Sequence, residues 1–246
     1  GVTRSSPAAL GLEKDEFLKT PPGTQRNMGC LAISSDGARI ASAVGRSVFT
    51  WTVPGGDPVQ LHDVHRSSAV AAAFAGDDGA LCTCDTEGRV LRWAPLSTTK
   101  PSEWLTKLRG ASGMAVAPDG AGAMVYTPGG QYVFVDLAGG ATRSLREIKR
   151  SGVLACVMPS GAETVFLGCK GGTIELWSVA GDGSKRDVTF EGHARDVAAL
   201  AVTADGGTLI SASVDGSIRM WDATSGEGLL TFTGHAGAVT GLSLCE

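Results

Sequence analysis

A spacing of about 42 residues recurs along most of this chain and constrains its fold more than any other feature. Four short apolar runs end in tryptophan, at Trp51, Trp93, Trp177 and Trp221. The first two lie 42 residues apart, the middle two twice that distance, and the last two 44 apart. The copy that this period places at position 135 has Val135 instead of Trp. Repeats of roughly 20–50 residues are the signature of folds that stack one structural unit after another.

Two series of turn glycines keep the same period. One series is Gly37, Gly79, Gly120, Gly161 and Gly206, and the other is Gly45, Gly88, Gly130, Gly172 and Gly216. Short runs rich in Val, Ile, Leu and Ala lie between these turns, so each unit contains four strands. Four strands in about 42 residues predict one antiparallel sheet per repeat, the pattern of a β-propeller blade. Because a lone blade cannot bury both of its faces, successive blades must stack side by side.

The fifth unit carries the most complete motif. A Gly-His pair ending at His193 opens it, a Trp-Asp pair starting at Trp221 closes it, and a second Gly-His pair, ending at His235, begins a sixth unit 42 residues later. These motifs resemble the WD40-repeat family, and the resemblance covers residues 28–246. It implies an all-β WD40 β-propeller built from four-stranded antiparallel blades.

The repeat divides the chain into five complete units and a stub. The units are residues 28–64, 65–108, 109–148, 149–190, 191–232 and, in part, 233–246. Because WD40 propellers usually close with seven blades, we expect further blades upstream, downstream or in both places. Residues 1–27 combine Ser, Pro, Gly and mixed charges and are predicted to be a linker. The run at 16–20 is alternatively the outer strand of a neighbouring blade.

The resemblance also assigns a structural role to four polar side chains of the fifth unit. In WD40 proteins a His, a strand Ser or Thr, a turn Asp and the Trp form a hydrogen-bonded tetrad, here His193, Ser211 or Ser213, Asp215 and Trp221. The arrangement is chemically reasonable, because a buried indole N–H only donates and needs an acceptor such as a hydroxyl. A hydrolase triad is the alternative for the Ser, His and Asp. We favour the tetrad, since the repeat explains all of its members and no G-x-S-x-G turn occurs.

The other units keep less of the motif. The second retains His65 and Trp93, with Glu87 at the position of the turn Asp. The third has Val135 in place of Trp, and the fourth has Gly171 in place of the turn Asp. We expect the third and fourth blades to rely on apolar packing and backbone hydrogen bonds alone.

The family resemblance further implies interaction surfaces on the faces of the ring. The narrow face is formed by the loops between blades and by the turns between second and third strands. Candidate partner-contact residues on this face are Arg66, Thr86, Arg195, Asp196 and Val214. Ordinary solvated loop residues are the alternative.

One basic cluster, residues 143–150, lies in the units that lost their motif residues. Its cations are Arg143, Arg146, Lys149 and Arg150, against a single Glu147. The cluster is a second candidate partner contact, for an acidic peptide or an RNA backbone. A solvated outer strand that protects a sheet edge is the alternative.

Composition limits the partners and the compartment. The net charge of −4 argues against broad nucleic-acid binding, so RNA contact stays open but is not indicated. No apolar stretch approaches the ~20 residues that span a bilayer, and the N-terminus lacks a signal-peptide core. The six cysteines lie in apolar runs without a C-x-x-C pair, which favours reduced thiols over disulfides. We therefore expect an intracellular protein of the cytoplasm or nucleus, without membrane insertion.

Signals for catalysis are weak. The chain has only four His and lacks phosphate-binding, zinc-protease and calcium-loop motifs. We expect no catalytic residue, no metal, no cofactor and no small-molecule substrate. The favoured function is a protein–protein interaction scaffold, as a subunit of a large assembly in ribosome biogenesis, ciliary transport, coats or chromatin. An adaptor that reads a peptide or a modified residue is the alternative, and a propeller enzyme is a remote one.

Overall fold

The computed structural model describes residues 30–53, 57–61, 65–76, 79–96, 100–181, 183–203 and 205–244. These residues contain twenty strands in five four-stranded sheets, and no helix occurs among them. In every sheet the strands lie side by side in chain order and pair antiparallel. The predicted all-β class with four-stranded antiparallel blades is therefore confirmed. The unit boundaries and the seven-bladed ring stay predictions.

Each sheet forms one blade, numbered here in chain order. Blade 1 contains β1 (Cys30–Ile33), β2 (Arg39–Val44), β3 (Ser47–Thr52) and β4 (Val59–Leu61). Blade 2 contains β5 (Ala69–Ala75), β6 (Ala80–Asp85), β7 (Arg89–Trp93) and β8 (Ser102–Leu105). Blade 3 contains β9 (Gly113–Val116), β10 (Gly122–Tyr126), β11 (Tyr132–Asp136) and β12 (Thr142–Ser144). Blade 4 contains β13 (Val153–Val157), β14 (Thr164–Cys169), β15 (Ile174–Ser178) and β16 (Lys185–Phe190). Blade 5 contains β17 (Val197–Val202), β18 (Thr208–Ser213), β19 (Ile218–Asp222) and β20 (Gly228–Phe232).

The turn between the first two strands of a blade shows how the local sequence sets the hairpin. In blade 5, Asp205 Oδ1 accepts a hydrogen bond from the Thr203 hydroxyl at 2.5 Å and from the Gly207 N–H at 2.9 Å. Blade 1 repeats this arrangement, with Asp36 accepting from the Ser34 hydroxyl at 2.5 Å. An Asp side chain that binds the backbone two residues on is a standard turn device. In blades 1, 3 and 5, an Asp-Gly turn of this kind therefore fixes the hairpin between the first two strands.

Neighbouring blades pack face to face through apolar clusters. Between blades 4 and 5, for example, Phe190 and Phe166 of one sheet pack against Leu209 and Trp221 of the next. Equivalent clusters join blades 1 and 2, 2 and 3, and 3 and 4. Each fully buried large apolar side chain contributes roughly 1.5–3 kcal/mol. The core thus lies between the blades.

Three kinds of turn or loop meet at one end of the blades, where strands begin and end, and we call this end the turn face. Because its strands alternate in direction, a four-stranded antiparallel sheet has the start of its first strand, its second turn and the end of its fourth strand at the same end. Backbone hydrogen bonds join these parts, such as Val214 N–H to Asp196 O at 2.9 Å and Thr86 N–H to Ser68 O at 3.0 Å. The family resemblance places these loops and turns on the narrow face of the ring, which stays a prediction.

Several sequence-based expectations fall at the ends of the chain. The linker at 1–27 and its alternative strand at 16–20 lie outside the described residues. Residues 233–244, the start of the expected sixth unit, contain no strand, but the Val239 N–H donates to Ser213 O at 3.1 Å. Among the described residues five cysteines are free thiols, and Cys245 lies outside them.

Candidate functional site

A chain of buried hydrogen bonds joins β18 and β19 of blade 5 to the loop that precedes the blade. The Trp221 indole N–H donates to Ser211 Oγ at 2.8 Å, and Ser211 Oγ lies 2.7 Å from His193 Nε2. On the other side of the ring, His193 Nδ1 lies 3.1 Å from Asp215 Oδ2. Because the indole can only donate, the Ser211 hydroxyl is free to donate to His193, which leaves the ring proton on Nδ1 to bond the carboxylate. Ser211, not Ser213, holds the hydroxyl position.

The Asp215 carboxylate is held by more than the imidazole. Its Oδ1 accepts from the Ser217 N–H at 2.8 Å and from the Ser217 hydroxyl at 2.6 Å, and its Oδ2 accepts from the Ala194 N–H at 2.9 Å. Burial alone would raise the pKa of Asp215, but these hydrogen bonds lower it well below the ordinary range. Burial lowers the pKa of His193, and the nearby carboxylate opposes that shift only in part. The pair is therefore a carboxylate and a neutral imidazole at neutral pH.

Blade 2 contains a second network of this kind. His65 Nε2 lies 2.7 Å from Thr83 Oγ1, and His65 Nδ1 lies 3.2 Å from Asp85 Oδ2, with all three side chains fully buried. Asp85 Oδ1 also accepts the N–H groups of Glu87 and Arg89, each at 3.0 Å. Burial would raise the pKa of Asp85, but the hydrogen bonds from His65 and the two amides lower it.

The prediction that Glu87 supplies the carboxylate of blade 2 is wrong. Asp85 is the last residue of β6, and its side chain is buried at the interface between blades. Glu87 lies in the turn that follows and is exposed to solvent. A residue that ends a buried strand can reach the imidazole, whereas the longer acidic side chain in the turn contributes only its backbone N–H.

Blade 4 has a different polar centre, which the sequence reasoning missed. The Trp177 indole N–H donates to Glu175 Oε2 at 2.9 Å, and Glu175 is only 4% exposed. Glu175 Oε1 lies 3.5 Å from Arg186 Nη1 and 3.7 Å from Arg150 Nε. The expectation that blade 4 relies only on apolar packing and backbone hydrogen bonds is therefore wrong. The sequence feature that could have revealed this centre is Glu175, a single carboxylate in the otherwise apolar run 174–177.

The five candidate contact residues of the turn face are placed on that face. Arg66 and Arg195 are exposed, and Thr86, Asp196 and Val214 are partly buried. Some of them also connect parts of the fold. Asp196 Oδ1 accepts the Gly171 N–H of blade 4 at 2.9 Å, and the Ser213 hydroxyl donates to Arg195 O at 3.0 Å. The exposed arginine side chains remain the most accessible members of this set.

The structure divides the basic cluster at 143–150 into two pairs. Arg143, in β12, donates to the backbone oxygen of Val179 in blade 4. Arg150 lies against the buried carboxylate of blade 4 described above. Arg146 and Lys149 are exposed. One pair thus joins blades 3 and 4, and the other pair faces solvent.

Comparison with known proteins agrees with this geometry. The family model described as "WD domain, G-beta repeat" matches residues 184–222. WD repeat-containing protein 18 of Bos taurus is 25% identical over 224 residues, covering 83% of this chain and 52% of that protein. Autophagy-related protein 16 of Arabidopsis thaliana is 26% identical, covering 78% of this chain and 37% of that protein. A U3 snoRNP-associated protein-like protein (YAOH) of Oryza sativa subsp. japonica is 34% identical over 109 residues, covering 38% of this chain and 21% of that protein.

These matches support a WD40-repeat protein, with residues 184–222 as the segment that the family model covers. The matched segment includes the complete network of blade 5, and matches to WD-repeat proteins extend over most of the remaining blades. This similarity supports a protein-interaction scaffold. The chain spans about half, or less, of the length of the first relatives that it matches.

The hydroxyl groups of the two hydroxyl–imidazole–carboxylate networks are closed to solvent. Ser211 is 0% exposed and its oxygen already holds the Trp221 N–H, so no substrate can reach that hydroxyl. The corresponding Thr83 in blade 2 is also 0% exposed. A nucleophile must contact its substrate, whereas a satisfied buried network fixes neighbouring segments in one arrangement.

Within the part of the chain that the structure describes, no group of three or more His, Cys, Asp or Glu side chains is arranged to hold a metal ion. None of the described residues forms a helix of the length and apolar character needed to cross a membrane.

Proposed function

We propose that this WD40 protein is a scaffold subunit of a large intracellular assembly and acts by holding other proteins in place. The proposal rests on which polar side chains are buried between the blades and which are exposed on the turn face. His65 and His193, with their hydroxyl and carboxylate partners, are enclosed between blades. The turn face instead presents exposed Arg66 and Arg195 on rigid loops. Side chains on loops that a rigid scaffold positions are well suited to binding partners.

The name of one relative favours one class of assembly. One matching protein is named as similar to a U3 snoRNP-associated protein. Among the assemblies considered from the sequence, a ribosome-biogenesis particle is the one that this name favours. The match covers 38% of this chain, so the name supports the class of assembly and leaves the partners to be identified.

Proteins are the expected direct partners, with RNA contact secondary. The net charge of −4 gives no general attraction to a phosphate backbone. Blades packed through apolar clusters form a stiff framework, which lowers the entropic cost of binding because little of the surface must be ordered. We place the protein in the cytoplasm or the nucleus and assign it no catalytic step.

Affinity purification from its source tests this function. The full-length protein, tagged at its natural locus, is purified at moderate salt and analysed by quantitative mass spectrometry. We expect a fixed set of proteins at constant ratios, including ribosome-biogenesis factors. Recovery of the tagged protein without stoichiometric partners, under conditions in which a known assembly stays intact, would contradict the proposal.

A further inference from the structure

A groove on the turn face separates blades 2 and 3 and is bordered by positive charge. It lies between the loop that joins β8 to β9 and the loop that follows β12, and its volume is about 560 Å³. Lys107 belongs to the first loop, and Arg146 and Lys149 belong to the second. All three residues are exposed. We call this feature the blade 2–3 groove.

The framework of the groove is fixed by hydrogen bonds and packing. Lys107 has a backbone φ of 58°, in the left-handed region that residues other than Gly rarely adopt. Its neighbours hold it there, because the Thr106 hydroxyl donates to Gly88 O at 2.7 Å and the Leu108 N–H donates to Thr106 Oγ1 at 3.2 Å. Unfavourable backbone conformations that the surroundings enforce concentrate at functional sites. The floor consists of four buried side chains, those of Leu108, Tyr132, Leu145 and Ile148.

The residues that line the groove carry a net positive charge. Among the described residues that line it there are three cations and no carboxylate. The one acidic residue of the neighbouring basic cluster, Glu147, accepts a hydrogen bond from the Ser184 hydroxyl of blade 4 at 3.0 Å and also interacts with Arg146, so it offsets only part of the positive charge. Three like charges around one concave surface focus a positive potential there, although the whole chain is acidic. The ligand that fits this surface carries several negative charges.

An acidic peptide matches the groove better than a nucleic acid does. Proteins that bind single strands combine basic grooves with exposed aromatic rings on which bases stack. The aromatic side chain of this lining, Tyr132, is 2% exposed and its hydroxyl donates to the backbone oxygen of Arg150. An extended peptide needs no stacking surface, and its alternate side chains project on one side at intervals of about 7 Å.

We propose that the blade 2–3 groove binds an acidic peptide segment of a partner protein, with carboxylates paired to Lys107 on one wall and to Arg146 and Lys149 on the other. The inference rests on the proposed scaffold function and specifies the site and chemical class of one partner. Its charge complementarity governs the association rate and the salt dependence.

Fluorescence anisotropy tests the groove directly. The probes are a labelled short peptide of alternating Glu and Ser, the same peptide with Gln in place of Glu, and a single-stranded RNA of equal length. We expect the acidic peptide to bind more tightly than both other probes, with affinity falling as salt rises. The combined variant Lys107→Glu and Lys149→Glu weakens binding roughly tenfold or more. Lys149→Arg retains it.

The matched control is Lys185→Glu, a charge reversal on β16 of blade 4, where the Lys185 side chain is 84% exposed. We expect its affinity to equal that of the wild type, and circular dichroism checks that all variants fold. Binding of the acidic peptide that survives the combined reversal, or absence of binding, would overturn the proposal. Tighter binding of the RNA, with loss in the combined variant, would assign the groove to nucleic acid instead.

Purification of the combined variant from cells separates this inference from the scaffold function. If the groove proposal is correct, at least one partner of the wild type is lost from the variant. If the wild type retains a complete set of partners and the variant retains all of them, the groove proposal fails and the scaffold function stands. If the wild type has no partner, the scaffold function fails, and the anisotropy titration alone decides the groove.

Discussion

Replacement of Ser211 by Ala isolates the central hydrogen bonds of the blade 5 network. The hydroxyl of Ser211 meets two buried groups, the Trp221 indole N–H at 2.8 Å and His193 Nε2 at 2.7 Å. The substitution removes one oxygen and leaves both groups buried without their partner. An unsatisfied buried polar group costs about 1–3 kcal/mol. We therefore expect the free energy of unfolding to fall by about 3 kcal/mol, with little contribution from lost volume.

The assay is equilibrium unfolding in denaturant, followed by both tryptophan fluorescence and far-ultraviolet circular dichroism. Coincident transitions from the two probes justify a two-state free energy. For a domain of 150–250 residues, a loss of about 3 kcal/mol lowers the Tm by roughly 6–12 °C. Ser35→Ala, at an exposed position in a turn of blade 1, is the control and should change stability by less than about 0.5 kcal/mol.

A double-mutant cycle tests whether the loss arises from this network. Trp221→Phe keeps an aromatic ring but removes the indole N–H. Once that donor is gone, removing the Ser211 hydroxyl leaves one fewer group unsatisfied, so the double variant should be about 1 kcal/mol more stable than the sum of the single effects predicts. A stability change for Ser211→Ala within the range of the control, or strictly additive effects, would refute the reasoning.

Three other predictions follow from the same structure. Asp85→Ala should cost about 2–4 kcal/mol because it leaves His65 and two amides without their acceptor, whereas Glu87→Ala should be neutral within about 0.5 kcal/mol; equal effects in denaturant titrations would restore the turn Glu as the partner. Gly172→Ala should destabilise by about 3 kcal/mol, since its Cβ would lie 2.2 Å from the backbone oxygen of His193, while Gly45→Ala, also at positive φ but in open space, should cost only about 1 kcal/mol; similar melting temperatures would contradict the clash. Because the folded-state pKa of His193 lies below its ordinary value of 6.5, the unfolded chain binds more protons there, so stability should fall as pH drops from 7 to 5, and His193→Gln should flatten that slope in denaturation midpoints measured across this range.

The architecture was predictable because its signals are local. A glycine turn, a short β-branched run and a buried aromatic residue each act over a few residues, and their common period shows that one unit is repeated. The four tryptophans that set the period are all buried, with exposures of 1–9%. The family motif predicted the blade 5 network but left Ser211 and Ser213 as alternatives for its hydroxyl, and the structure places Ser211 there.

The polar centres of the weaker blades were not predictable in the same way. The choice between Asp85 and Glu87 depends on which side chain reaches across the blade interface, and spacing from His65 favoured the wrong one. In blade 4, Glu175 is buried because it accepts the Trp177 N–H and faces two arginines. One of them, Arg150, lies 25 residues before Glu175, in a basic run that also contains exposed residues. Only the fold shows which cations of that run point inward.

Native sizing of the full-length protein in extract from its source tests the central claim most directly. The extract is fractionated by gel filtration at low and at moderate salt, and the untagged protein is followed by immunoblot. The scaffold function predicts elution far above the mass of the chain, at the same position as a constant set of other proteins. Elution at the mass of the free protein under both conditions would contradict it.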